Sequence, residues 1–370
     1  MTYQIINYSD VPDPISAWNK IVADSRDAWI WVTHQEHLCR VSALMAADKF
    51  VSEKSFFLVD DTGEICGFAP LVFTRSDLFD GLQASYDRPL PWPIINENVE
   101  QKANAESFLL DELERRAIFE GAGMLSLQNS PPNAGIHLRN EFYQIIRKRG
   151  FIDSSYLAHA IEITPEALLK VRKKYRRYPR ILSDKYEISI IDSKSRHNHD
   201  GLAEQYMNLH VKDSGAAHRP LETYQGQIDM VKYGESFFVV AVNRSVDQVV
   251  GMMLVYSHKN AAFYASVAVD PEFKRDQVSV LMKWKALEHF QVIGVDHYEL
   301  GKAAISPSYL EQPSDKNYGI SFYKDGWSRG NFKLNLRADK FYSEAALDGY
   351  CKSKFDDLKS YTARFIEKDK

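Results

Sequence analysis

Two stretches of this chain share the same plan. Residues 55–75 read SFFLVDDTGEICGFAPLVFTR, and residues 236–257 read SFFVVAVNRSVDQVVGMMLVYS. Each is an apolar run, a polar turn and a second apolar run, the pattern of an antiparallel hairpin. Both open Ser-Phe-Phe, both place a glycine early in the second strand (Gly67 and Gly251), and they lie about 180 residues apart. The spacing points to an internal duplication.

The elements after each hairpin support the repeat. After the second come a strand, Ala261 to Val269, a helix, Val278 to Phe290, and a strand, His297 to Gly301. After the first, a Pro-rich loop, YDRPLPWP, leads to a helix, Lys102 to Phe119, and a strand, Met124 to Gln128. At 370 residues the chain is long enough for two such units, each with its own core. The expected division is a first domain over 1–165, a basic linker helix over 166–183, a second domain over 184–340 and a C-terminal helix over 341–370.

The linker carries Lys170, Arg172, Lys173, Lys174, Arg176, Arg177 and Arg180, and Pro179 should end or kink its helix near Tyr178. It reads either as a solvated linker or as a phosphate-binding face. Over the whole chain 46 basic and 50 acidic residues leave a formal charge of −4, so a polycation built to coat nucleic acid is excluded and any polyanion site is local. Cys39, Cys66 and Cys351 are far apart and odd in number, which argues against a disulfide framework or a zinc site. The first residues, MTYQIINYSDVPDP, lack a basic, apolar leader, and no window approaches 18 apolar residues. A cytoplasmic protein without integral membrane association is the expectation.

The stretch His210–Arg219, HVKDSGAAHR, gathers two histidines, an aspartate, a serine and an arginine. Ala203–Lys212 reads as a helix, so Asp213-Ser214-Gly215 is its C-terminal stop, not the strand-to-helix elbow that a nucleophilic serine needs. No carboxylate or cysteine completes a metal ligand set at the usual spacing. His34 and His37, close to Trp29 and Trp31, lack a third ligand and read as a partly buried helix face.

The segment Val267–Phe290, VAVDPEFKRDQVSVLMKWKALEHF, resembles the GNAT acyltransferase superfamily, whose cofactor loop carries V-x-P-E-[YF]-R-x-x-G-x-G/A and opens a helix. Val269, Pro271, Glu272 and Phe273 match, and Lys274 stands at the arginine position. Arg275, Gln277 and Ser279 stand where glycines are usual. In that family successive amides at the helix N-terminus cradle the pyrophosphate of CoA. The tandem halves, the basic linker, YELGK (Tyr298–Lys302) and YGISFYKDGWSRG (Tyr318–Gly330) resemble the FemAB-like branch of the superfamily. Gly319, Tyr323, Lys324 and Trp327 match its G-x-x-x-F-K-x-x-[FW]-G pattern, while Ser328 replaces the last glycine.

The resemblance implies an α/β (α+β) fold of two tandem GNAT-like domains, each a mixed, mostly antiparallel sheet flanked by helices. It implies transfer of an acyl or aminoacyl group onto an amine of a cell-envelope, polysaccharide or peptide precursor. The donor would be aminoacyl-tRNA or acyl-CoA, with no tightly bound cofactor; tRNA is thus an expected partner and DNA is not. Amine acylation needs a proton acceptor, oxyanion stabilisation and a proton for the leaving group. Glu299 is the candidate base, Lys324 the candidate cation for donor phosphates or oxyanion, and Tyr264 the candidate proton donor. Tyr264 and Ser266, two apart on a strand, should share a face. Arg172, Arg176, Lys274 and Arg275 are candidates for donor phosphates, and His218, Arg219, Tyr224 and Ser266 for the acceptor. Lys283 and Trp284 read as structural. Two other readings stay open: an acetyl-CoA-dependent N-acetyltransferase acting on an amino sugar or small metabolite, and a catalytically silent module that binds RNA or a partner.

Overall fold

The computed structural model of the chain describes residues 2–131, 136–195, 199–304 and 314–366, the side chains of 136–139, 360, 361 and 363–366 excepted. In the first half, helix α1 (His34–Ala46) begins at Thr33, whose side chain accepts from the Glu36 amide. The hairpin comes next as β1 (Phe56–Val59) and β2 (Ile65–Ala69). Short strands β3 (Leu82–Ala84), β4 (Leu90–Pro91) and β5 (Ile94–Ile95) lead to helix α2 (Lys102–Phe119), β6 (Ala122–Asn129), helix α3 (Ile136–Arg149) and β7 (Tyr156–Glu162). The loop YDRPLPWP therefore contains strand where only loop was expected.

In the second half, helices α4 (Leu202–Ser214) and α5 (Leu221–Lys232) precede the hairpin β8 (Ser236–Asn243) and β9 (Gln248–His258). Then come β10 (Ala261–Val269), α6 (Val278–Ile293), β11 (His297–Lys302), α7 (Asp315–Ser328) and β12 (Phe332–Phe341). A last helix spans Glu344–Ile366. Among the described residues the strands form a sheet of thirteen and a sheet of four, flanked by helices.

The repeated glycines have a shared physical reason. A Cβ at Gly67 would lie 3.1 Å from the Ile94 carbonyl and 3.3 Å from Leu109 of α2; one at Gly251 would lie 3.0 Å from Met282 of α6. Each lets the following helix sit against its hairpin. Each also pairs with the residue before a bulge, Leu58 opposite Gly67 and Ala241 opposite Gly251. Around them α6 buries Val278, Val280, Leu281, Met282, Ala286, Leu287 and Phe290, the larger of which contribute about 1.5–3 kcal/mol each.

The halves are interlocked by their last strands. In the large sheet the order runs β8-β9-β10-β11-β7-β12-β6, so β7 of the first half pairs with β11 of the second, and β12 of the second pairs with β6 of the first. The boundaries drawn at 165 and 340 therefore cut through one continuous sheet. The linker is not a single helix. It is a short helix (Ala167–Lys170), an extended Val171, a 3-10 turn (Tyr175–Arg177) and another short helix (Tyr178–Leu182) that takes Pro179 in its first turn, where a missing amide costs nothing.

Candidate functional site: a strand gap beside a cationic cavity

β10 and β11 run parallel but pair only over Ala261–Phe263 and His297–Glu299. Beyond Phe263 the β10 edge has no neighbouring strand among the described residues, and an extended ligand can meet its backbone groups there. Asp213 pins the far end. Its Oδ2 accepts from the Val269 amide at 2.9 Å, and it holds Lys274 through the other oxygen. The stretch HVKDSGAAHR is thus a helix end, closed by Gly215 at φ 82°, that fastens the open strand to α4.

Tyr264 and Ser266 do not share a face. A bulge shifts the register between Tyr264 and Ser266, opposite Val255 and Leu254. Ser266 Oγ meets Tyr206 Oη at 2.6 Å on the α4 side, while Tyr264 packs on the α6 side. There Lys283, fully buried, holds its Nζ 4.0 Å from the Tyr264 ring centroid and 4.6 Å from that of Tyr323, with no hydrogen-bond partner among the described residues. Burial drives its pKa well below the usual lysine value. Burial likewise raises Tyr264 well above the usual phenol value, so the hydroxyl keeps its proton at neutral pH.

Lys324 reaches from α7 to the end of β11, with Nζ 3.4 Å from the Lys302 carbonyl oxygen. Burial lowers its pKa to about 8, against the opposing pull of Glu299. Glu299 is not a free base in this geometry. It is 6% exposed, with one oxygen accepting from Asn335 Nδ2 at 2.8 Å and the other from Lys333 Nζ at 3.0 Å.

The substrate and donor candidates scatter. Tyr224 is buried in the core against Tyr206 and His210, so it is no ligand. His218 is exposed; Arg219 is half-buried, without an ion-pair partner among the described residues, and its charge acts on Arg88. Of the donor-phosphate set, Lys274 is spent on Asp213, and Arg172 stacks on Phe322 at 4.3 Å and pairs with Asp325 at 3.5 Å. Arg275 is exposed one turn before α6, next to Gln277, which takes the left-handed conformation (φ 60°) where glycine would be unstrained. Arg176 faces outward on the linker. His37 is satisfied by Tyr86 Oη at 2.6 Å and Glu53 at 3.0 Å; His34 meets Tyr8 Oη at 3.1 Å through Nε2, while its buried Nδ1 has no partner among the described residues.

The most prominent feature lies between the halves. A cavity of about 570 Å³ is lined by Arg40, Arg88, Lys302, Arg337 and Lys354, with Asp153 the one carboxylate among the described lining residues; Arg40 pairs with Glu36 at 2.6 Å and Arg337 with Asp339 at 3.4 Å. Trp31, Tyr156, Phe263 and Tyr350 add aromatic surface, and Arg40 lies over the Trp31 ring at 5.1 Å. Phe263 and Lys302 belong at once to this wall and to the strands that part, whereas Tyr264 and Lys324 are not among the residues that line it. Such a cavity favours an anion with a flat or apolar portion. Sequence reasoning missed it, since its cations come from positions 40 to 354 and share no spacing.

Residues 170–315 match the family profile described as an acetyltransferase (GNAT) domain. No curated protein sequence matches the chain. Among solved structures, FemX superposes with a TM-score of 0.65 at 12% identity, covering 92% of this chain and 97% of its own. The C-terminal domain of a putative lysylphosphatidylglycerol synthetase from Agrobacterium fabrum gives 0.58 at 14% identity, covering 90% and 93%. A tandem GNAT protein from the clavulanic acid biosynthesis pathway gives 0.50 at 11% identity, covering 92% and 99%. Residues 170–315 therefore carry a GNAT-type acetyltransferase domain, and the chain as a whole shares its fold with FemX and with a tandem GNAT protein.

Proposed function

We propose that the protein transfers an acyl or aminoacyl group onto the amine of an anionic envelope, polysaccharide or peptide precursor. The observation that carries this reading is that Phe263 and Lys302, on the two strands that part, also line the cationic cavity. The donor's acyl group lies along the open strand edge; the acceptor's charged part lies on Arg88, Lys302 and Arg337. Its amine attacks the acyl carbonyl where the two meet. Lys324, as the ammonium, stabilises the oxyanion, and Tyr264 supplies the proton that the departing thiolate or ribose oxygen needs. With Glu299 held by Lys333, the amine's proton leaves through water or the acceptor itself. Arg275 at the start of α6 is the free cation nearest the place where donor phosphates would sit. One structural neighbour is named as a putative synthetase of lysylphosphatidylglycerol, a name that couples an aminoacyl group to an anionic lipid. That supports an aminoacyl donor.

The test is a thermal-midpoint shift with acetyl-CoA and, separately, with an aminoacyl-tRNA pool, followed by label transfer from whichever binds to a panel of phosphorylated amino sugars and peptides. A donor at 100 times its Kd should stabilise by about 2.7 kcal/mol. A shift with acetyl-CoA alone moves the reading to an acetyltransferase. Absence of a shift and of transfer with both donors sinks it.

A further inference from the structure

We propose that the outer face of the linker docks the protein on an anionic phospholipid surface. The linker turns one line of residues inward: Ala167, Val171 and Tyr175 are buried, and Tyr178 and Leu182 pack on the core of the second half. Lys170, Lys173, Lys174, Arg176, Arg177 and Arg180, between them, are all exposed, and no carboxylate occurs between Glu166 and Asp184. None of these six cations has an ion-pair partner among the described residues. In a chain of net charge −4 this is an unneutralised stripe.

The stripe is bounded by Leu169 and Ile181, which are 67% and 64% exposed. Single exposed aliphatic side chains are ordinary, but a pair closing the two ends of a cationic face has a use at a bilayer: the chains enter the headgroup boundary while the cations meet phosphates. RNA would use the cations and leave the aliphatic pair idle. It would also favour aromatic rings for base stacking, and the two linker tyrosines are the residues turned inward. The inference stands apart from the identity of the transferred group.

The experiment is cosedimentation of the full chain with phosphatidylcholine vesicles, with and without phosphatidylglycerol, and a gel shift with tRNA. Binding is expected only to vesicles that contain phosphatidylglycerol and should weaken with salt. R176E/R177E should weaken it by roughly tenfold or more, and L169S/I181S by several-fold with tRNA retention unchanged. Equal binding to both vesicles, or none, overturns the proposal. So does a face whose charge reversal abolishes tRNA retention while the aliphatic pair proves irrelevant to vesicles. All four positions are exposed, and unchanged thermal midpoints would confirm that the variants fold.

Discussion

The two halves start from the same hairpin, strand, helix and strand, and they treat the edge of the strand after the helix in opposite ways. In the first half β6 is paired along that edge, by β3 over Leu82–Ala84 and by β4 over Leu90–Pro91. The segment that does this, between the hairpin and Trp92, is longer than its counterpart, and the Trp92 indole donates to Glu106 of α2 at 2.5 Å. In the second half the edge of β11 meets β10 over three residues, and no strand among the described residues covers it beyond them. The short strands of the first half thus cover an edge that the described strands of the second half leave uncovered, and the first half contributes Arg40 and Arg88 to the wall of the cavity.

The largest expected effect tests whether chemistry belongs to the second half alone. Lys324→Ala should lower kcat by about 10²–10³-fold, as for loss of one oxyanion donor, whereas Glu106→Gln, on α2 of the first half, should leave kcat unchanged. Because Lys324 must be charged and its pKa is lowered to about 8, activity should fall as pH rises through that value. A flat kcat profile to higher pH would remove Lys324 from this role.

Next comes the division of labour. Arg88→Ala should raise KM for an anionic acceptor by about tenfold with little change in kcat, as for loss of a charge-assisted hydrogen bond. A fall in kcat at constant KM would place Arg88 in the chemistry instead.

The glycines sharpen the likeness of the halves. Gly67→Ala and Gly251→Ala should each destabilise by about 1–3 kcal/mol through overpacking. The first should cost more, because its new methyl meets a backbone carbonyl, while the second meets the flexible end of Met282. Chemical denaturation ranks them, and the reverse order would contradict this account of the close approach.

Smaller still is the effect at the junction. Glu235, in the second half, accepts from Thr33 Oγ1 of the first at 2.7 Å, and burial raises its pKa from 4.5 to about 7. The folded state therefore favours the protonated acid. That stabilisation is complete below pH 4.5 and is lost as pH rises through 7, so Glu235→Gln should flatten the decline of the thermal midpoint over this range. Parallel slopes for the two proteins would refute it.

Much of the fold was legible in the sequence. Helix Lys102–Phe119 and strand Ala261–Val269 have the predicted bounds, and the helix read over Ala203–Lys212 ends at Gly215 as its cap requires. These features are written locally, in periodicity and stop residues. The site was legible only in part. Tyr264 and Ser266 should share one face because strands alternate, and a bulge breaks the alternation. Tyr224 carries a chemistry that would suit a ligand site and belongs to the core. Glu299 fits a base by residue type, but Lys333 and Asn335, on a strand some thirty residues later, consume both its oxygens.

By itself, then, the sequence determined two hairpin-led halves, their helices and caps, the basic linker and the acyltransferase motifs, since each depends on residues within a few turns of one another. The tertiary structure alone decided the exchange of last strands, the open edge of β10 and the cationic cavity. Those depend on which distant segments pair, and edge pairing and charge convergence leave no periodic trace along the chain.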